Sequence, residues 1–269
     1  MDMKEEISKT RATMPHGTAP LLDTRSLHRS NANLLHVLRP GQHVLDVGCG
    51  TGTITIGICD LVGNDGRVVG VDRSEELIRQ AILHQQDRAN LSFICGDILE
   101  FQSTSSFDVI TAARTIQWLS NPAKYLAIMK SLLKPGGALC ILDFDHEAIE
   151  WKPDPPPSMI NFYKAFLQWR ADAGMDNRIG THAATELQRI DMKIIFEQDF
   201  SEYAEKGEEG FGAHINLWSI VAETRGKQMV NDNYLSEESR VTALNEYGQW
   251  CASEAKSMKL VLRATHATY

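Results

Sequence analysis

The sequence predicts an α/β fold: a doubly wound, mostly parallel seven-stranded sheet with a helical cap inserted in the C-terminal half. Three observations carry this. Short apolar runs alternate with amphipathic stretches from residue 43 to residue 144. Several of these runs are apolar throughout, as strands covered on both faces are. The alternation is then interrupted at 150–177 and 201–256, stretches too long for ordinary loops.

Residues 1–20 are polar and read as loosely ordered. Leu27, Leu34, Leu35 and Leu38 recur at helical spacing and predict a helix over 22–38, stopped by Pro40-Gly41. HVLDVG (43–48), RVVGVD (67–72), LSFICGD (91–97), FDVITAA (107–113) and ALCILDF (138–144) read as five strands. Between them lie the helix opened by TGTITIGICDLV, a second over 74–88 capped by Ser74, and a third capped by Asn121 with Pro122 at its first position. The Pro-rich run 151–159 reads as a stiff connector, followed by a helix. A helix near 181–190 and a strand over 193–200 resume the pattern, 201–255 reads as helical, and 257–266 reads as the final strand.

The division that follows is 1–149, an N-terminal lid helix and ligand-binding half; 150–177, a cap segment; 178–200, sheet continuation; 201–256, a helical cap insertion; and 257–269, the final strand. The 269 residues, 43% hydrophobic, are enough for one core with a cap. A net charge of −8 offers no bulk attraction to nucleic acid or an anionic membrane. Five cysteines, an odd count with no C-x-x-C pair, read as reduced core residues of a cytoplasmic protein, and no metal-ligand cluster is visible. The opening residues lack the apolar centre of a secretory signal, and no run has transmembrane length.

Glycines at 48, 50 and 52 stand directly after the first strand and before a helix. Such a turn lets backbone approach a ligand at a helix N-terminus, which points to a nucleotide-like ligand. Dinucleotide folds use G-x-G-x-x-G; this turn is one residue tighter. Asp46 lies two residues before it, suited to a ligand with an ammonium group and unsuited to a pyrophosphate. Asp72 ends the second strand, where a carboxylate can take both hydroxyls of an adenosine ribose; nicotinamide cofactors also meet an acid there.

LDVGCGTG, VVGVD, CGDI and LKPGGALCILDF, in that order over 43–144, resemble the successive motifs of class I S-adenosylmethionine-dependent methyltransferases. SLHRSNANLLHVLRPGQ, ARTIQWLSNPAKYL and DFDHEAIEWKPDPP resemble the ubiquinone- and menaquinone-biosynthesis group within them. The resemblance implies a Rossmann-like sheet with an antiparallel last strand, and S-adenosyl-L-methionine as cofactor. It further implies that Gly48, Cys49, Gly50 and Gly52 pass under the methionine part and that Asp46 serves the amino group. Asp72 would hold the ribose, with Arg73 beside the adenine. Asp97 would accept from the adenine amino group, Ile98 would pack on the ring, and Ala113 and Arg114 would meet the methionine tail. Gln117 and Trp118 would begin the substrate side.

Methyl transfer from a sulfonium is an in-line displacement that needs alignment and, for some acceptors, a base. His146 after the fifth strand is the first candidate base and His28, on a segment that lids the cofactor in resembling enzymes, the second. All five tryptophans lie beyond the fourth strand. They serve either as a cap core or as the wall of an apolar substrate pocket with few charges, formed by Trp118 and cap aromatics. The expected acceptor is a small, partly apolar or aromatic metabolite, without nucleic acid or membrane insertion, and a homodimer is left open. A protein methyltransferase and a non-catalytic S-adenosylmethionine binder are the alternatives. ARTIQW stands where exocyclic-amine methyltransferases carry Asn/Asp-Pro-Pro-aromatic, which disfavours a nucleic-acid substrate.

Overall fold

The computed structural model describes residues 3–15, 22–85 and 88–269. Its centre is a sheet of eight strands: β1 (His43–Val47), β2 (Arg67–Asp72), β3 (Leu91–Cys95), β4 (Phe107–Ala113), β5 (Leu133–Lys152), β6 (Lys193–Asp199), β7 (Glu202–Glu205) and β8 (Ser257–Thr268). The spatial order is β3-β2-β1-β4-β5-β8-β6, with β7 also paired to β8. Neighbours from β3 through β5 run parallel, and β8 is antiparallel to β5, β6 and β7.

Period-two alternation sends neighbouring residues to opposite faces. Val44, Val68 and Val109 join Ile58 and Val62 of α3 (Thr53–Val62) and Leu27 of α2 (Leu27–Ser30) on one face. Leu45, Val69 and Ile110 join Leu126 and Met129 of α5 (Pro122–Ser131) and Leu187 of α7 (Ile179–Arg189) on the other. Leu77 and Ile78 of α4 (Glu75–Gln85) are also buried. Ser74 and Asn121 cap α4 and α5, accepting from the Leu77 and Lys124 amides, each at 3.3 Å.

A third apolar cluster joins α6 (Pro157–Asp172) to the helices that follow β7. These are α8 (Phe211–Ile215), α9 (Leu217–Glu223), α10 (Arg225–Asn231) and α11 (Glu237–Ser253). Phe162, Phe166, Trp169, Trp218 and Trp250 pack there against Leu142 of β5 and Leu260 and Leu262 of β8. The cap helices therefore sit over the carboxyl end of β5.

Several expectations need correction. The helix expected over 22–38 is broken: α2 spans four residues and a 3₁₀ turn covers Ala32–His36. Positions 86 and 87 of the helix expected over 74–88 lie outside the described residues, as do 16–20 of the N-terminal segment. The sheet gains β7, a polar four-residue strand inside the segment expected to be helical, because β8 is long enough to pair beyond β6. The fifth strand extends to Lys152, with its register shifting between Asp145 and Glu150.

The N-terminal segment is also more ordered than its polarity suggests: α1 spans Met3–Ala12. Tertiary polar contacts hold it. Arg225 donates to the Arg11 and Thr13 carbonyls at 2.6 Å, Arg11 pairs with Asp232 at 3.0 Å, Lys124 with Glu5 at 3.0 Å, and Lys9 with Asp97 at 2.9 Å. The first two join α1 to the cap, the last two to the sheet domain.

Candidate functional site

Strand order reverses between β1 and β4, and ligands of open α/β sheets bind outside the carboxyl ends of strands at such a point. A cavity of about 430 Å³ lies there. Asp46 to Thr51 of the glycine turn, Asp72 to Glu75, Gly96 to Ile98, and Ala113 to Thr115 line it, with Trp118 and Leu119. Ala12 to Met14, Leu22 and Arg25 close it from the N-terminal side.

The turn depends on glycine backbone. Gly48, Gly50 and Gly52 have φ of 76°, 57° and 80°, in the left-handed region that side chains disfavour. A Cβ on Gly48 would lie 2.2 Å from Thr115 Oγ1, and one on Gly52 2.5 Å from the Phe93 ring. A Cβ on Gly50 would meet only Leu22, at 3.4 Å. Gly48 and Gly52 are thus fixed by packing, and Gly50 faces the cavity. Beside it Thr51 Oγ1 is buried without a hydrogen-bond partner among the described residues. A buried unpaired hydroxyl at a cavity wall fits a ligand that carries polar atoms to it.

Asp72 bridges two elements. One carboxylate oxygen accepts from the Gly50 amide and the other from the Ser74 amide, both at 2.9 Å. Burial raises its pKa against these amides, which favour the charged form. Each oxygen keeps a further lone pair able to accept another hydrogen bond. Asp46 is almost fully buried and accepts from Thr55 Oγ1 at 2.6 Å. Burial pushes its pKa up to about 6, with the Thr55 bond opposing and the Asp72 charge adding to the rise. Asp97 accepts from the Leu99 amide at 3.1 Å and pairs with Lys9. Arg73 stands 4.0 Å from the same carboxylate.

The family model described as a methyltransferase domain matches residues 38–189, over half of the chain and all of this cavity's strand-end loops. The chain belongs to the methyltransferase domain family. Within it, the motifs and the strand order are those of class I S-adenosylmethionine-dependent enzymes, and the turn, Thr51 and Asp72 fit that cofactor. The domain is 32% identical over 144 residues to a ubiquinone biosynthesis O-methyltransferase of Coxiella burnetii, covering 51% of this chain and 60% of that protein. The chain spans between 32% and 60% of the length of the curated relatives it matches. The fold is similar to the YcgJ protein of Bacillus subtilis, at a TM-score of 0.57 and 18% identity, covering 90% of this chain and 97% of that one. It is also similar to the [4+2]-cyclase SpnF, at 0.52 and 17%, covering 93% and 79%.

Of the residues singled out from sequence, the methyltransferase domain brings Asp46, Gly48, Cys49, Gly50, Asp72, Arg73, Asp97, Ile98, Ala113, Arg114 and Trp118 to one cavity. Gly52 lies just behind it. Arg114 has φ 55°, a strained conformation for a non-glycine residue. Its guanidinium turns away from the turn, to the Ser30 carbonyl at 2.7 Å and to Glu202 of β7.

Four expectations are not met at the cavity. Gln117 is buried and its side-chain amide donates to the Arg114 carbonyl at 3.0 Å. His146 does not line the cavity: its Nε2 meets Gln117 Oε1 at 2.7 Å, and its ring packs on Phe144 and Phe166. Burial, aided by the Arg170 charge, holds its pKa well below the usual imidazole value. His28 is exposed on α2, away from the lining. No cap aromatic lines the cavity, because Trp151, Trp169, Trp218 and Trp250 pack on one another and on β8. The wall is also more charged than expected. Arg25 went unnoticed in the sequence, since only the fold brings the segment before α2 to the cavity; Thr51, inside the turn, was passed over beside its glycines.

Proposed function

We propose that the protein transfers a methyl group from S-adenosylmethionine to a small, partly apolar metabolite in the cytoplasm. The observation that supports this best is one small-ligand-sized cavity lined together by the glycine turn, Asp72, Asp97, Trp118, Leu119 and Arg25. When bound, the cofactor supplies a methyl group on a sulfonium, open to in-line displacement with a neutral thioether leaving. The chain's part is placement. The turn presents backbone to the amino-acid tail, with Asp46 behind it. Asp72 holds the ribose hydroxyls through its free lone pairs, and Asp97 and Ile98 frame the adenine. Arg114, its side chain committed elsewhere, contributes backbone at the tail. The acceptor lies on the Trp118 side, and exclusion of water by α1 keeps the two aligned.

Calorimetry with S-adenosylhomocysteine tests the cofactor half. Micromolar affinity is expected, about −8 kcal/mol, and Asp72→Ala should weaken it by about 1.5–3 kcal/mol by removing a charged hydrogen-bond acceptor. A response to NADH with none to S-adenosylhomocysteine would reject the reading. Catalysis is a separate matter, because the fold is shared with a [4+2]-cyclase. Mass spectrometry of metabolites from an expressing strain should show a species heavier by one methylene; cofactor binding without such a product favours a non-catalytic binder.

His146 acts in this reading as a positioning residue, reaching the cavity only through Gln117 and the Arg114 carbonyl. With an acceptor in hand, His146→Gln should keep turnover within about tenfold and leave its pH profile unchanged. Loss of a limb near the ordinary imidazole pKa would make it the base instead.

A further inference from the structure

Helix α1 lies outside the span that the family model matches, so its docking is a feature of this chain. Its buried side is polar. Glu5, Ser8 and Arg11, three residues apart, face inward, where a helix held by packing would bury apolar side chains. The two ends of that side are held unequally. At the C-terminal end the grip is buried. The Arg225 guanidinium, from the cap, donates to the Arg11 and Thr13 carbonyls, and Arg11 donates to the Trp169 carbonyl and pairs with Asp232. A cation on the last carbonyls of a helix is also well placed against its dipole. Toward the N-terminus the partners belong to the sheet domain and are open to solvent. Lys9 Nζ lies 2.9 Å from Asp97 Oδ2 with 23% of its side chain exposed, and Lys124, 46% exposed, meets Glu5 at 3.0 Å. Ser8 Oγ adds a contact of 3.3 Å with Ser120 Oγ. Ion pairs this open hold weakly and are screened by salt.

We propose that α1 is a hinged gate on the cofactor cavity: it pivots on its Arg225-held end and is latched by Lys9 on Asp97. This rests on the methyltransferase reading above. Two observations put the gate on the ligand's path. Ala12, Thr13 and Met14, at the pivot, line the cavity, and so does Asp97, to which the latch is fastened. The helix therefore closes the rim between them. Asp97 is also the proposed partner of the adenine amino group. One of its oxygens accepts from the Leu99 amide, and the oxygen that holds Lys9 retains a lone pair, so latch and cofactor share one carboxylate. The latch is then intact before the cofactor enters and after it is seated, and is broken only during passage. Such a bond raises the barrier in both directions and leaves affinity almost unchanged.

The test uses the full chain and S-adenosylhomocysteine, which carries no net charge at neutral pH, so salt acts on its exchange through the latch and not through the ligand. Stopped-flow association, and release of labelled ligand into excess unlabelled ligand, give the two rates. Lys9→Met should raise both by about threefold or more and keep Kd within about twofold, and Lys9→Arg should keep both near the parent values. Raising salt from about 50 to about 500 mM should speed exchange in the parent and have much less effect on Lys9→Met. Unchanged rates overturn the proposal. So does faster release with unchanged association, because Lys9 is then a fixed contact of the cofactor. A second variant tests the same motion without weakening any ion pair. Ser8→Cys with Ser120→Cys, in a Cys95→Ser background that removes the exposed thiol, puts two thiols where the hydroxyls stand 3.3 Å apart. Closing that disulfide with oxidised glutathione should slow both rates by about tenfold or more, and dithiothreitol should restore them. Equal exchange in the oxidised and reduced forms overturns the proposal whatever Lys9→Met does. Failure of the parent to bind S-adenosylhomocysteine at all would instead reject the underlying methyltransferase reading, and the gate with it.

Discussion

Gly48→Val should destabilise the protein by about 2–5 kcal/mol and abolish S-adenosylhomocysteine binding. Two costs add. The backbone at position 48 has φ 76°, which a β-branched residue tolerates poorly. The added Cβ would also fall 2.2 Å from Thr115 Oγ1 and 2.7 Å from Thr115 Cγ2. Thr115 has little room to move, since its hydroxyl donates to the Val47 and Ala113 carbonyls at 3.3 and 3.1 Å. Gly41 supplies the control: φ 80° with nothing within 4 Å of its built Cβ. Gly41→Val should therefore show the backbone cost alone, about 1–2 kcal/mol. Urea unfolding of both variants measures the difference, and equal losses would mean that the Thr115 contact is not limiting. Gly50→Val, with only Leu22 near, should stay folded and lose the ligand.

Asp46→Asn should raise the stability of the ligand-free protein by up to about 3 kcal/mol near pH 7.5 while weakening the cofactor. The folded-state pKa of Asp46 is raised from 3.8 to about 6 by burial. A raised acid favours the folded state while it is protonated. Its contribution is therefore fully present below the unfolded pKa and is lost as pH rises from about 4 through about 6. Asparagine keeps an oxygen for the Thr55 hydroxyl and carries no charge to bury. Asp143, also raised to about 6 by burial, gives the same slope, whereas His266, lowered to about 4 by burial, gives the opposite one in the same window. Comparing variant with parent at each pH isolates Asp46. A stability gap that does not widen between pH 4 and 6 would show that the carboxylate is better solvated than its burial implies.

Both predictions concern residues that the sequence already singled out, and the reason is local. Strands β1 to β4 are short apolar runs, and their carboxyl ends and the loops that follow carry Asp46, the turn, Asp72 and Asp97 at fixed spacing. Chemistry placed by a few bonds of chain is legible in sequence. What was missed is placed by distant chain. EYAE over 202–205 has no strand signature of its own and becomes β7 only because β8 offers it partners. Arg25 looks like any surface arginine until the fold brings it beside Glu202. His146 misled because its chemistry suits a base, while its ring is absorbed by Gln117, Phe144 and Phe166. Of the tryptophans beyond β4, Trp151, Trp169, Trp218 and Trp250 likewise signalled a second core, and only Trp118 among them reaches the ligand wall.

The docking of α1 has a consequence for the order of assembly. The bonds from Arg225 to the Arg11 carbonyl and from Arg11 to Asp232 span 214 and 221 residues of chain. Contacts of such long range form late, because a large loop must close before they contribute. On the ribosome α1 emerges early, and its bonds to the cap wait until α10 has been made. Strands β1 to β5 can pair well before that. The newly made sheet thus passes through a stage in which its ligand edge is built while the N-terminal helix is not yet tied to the cap.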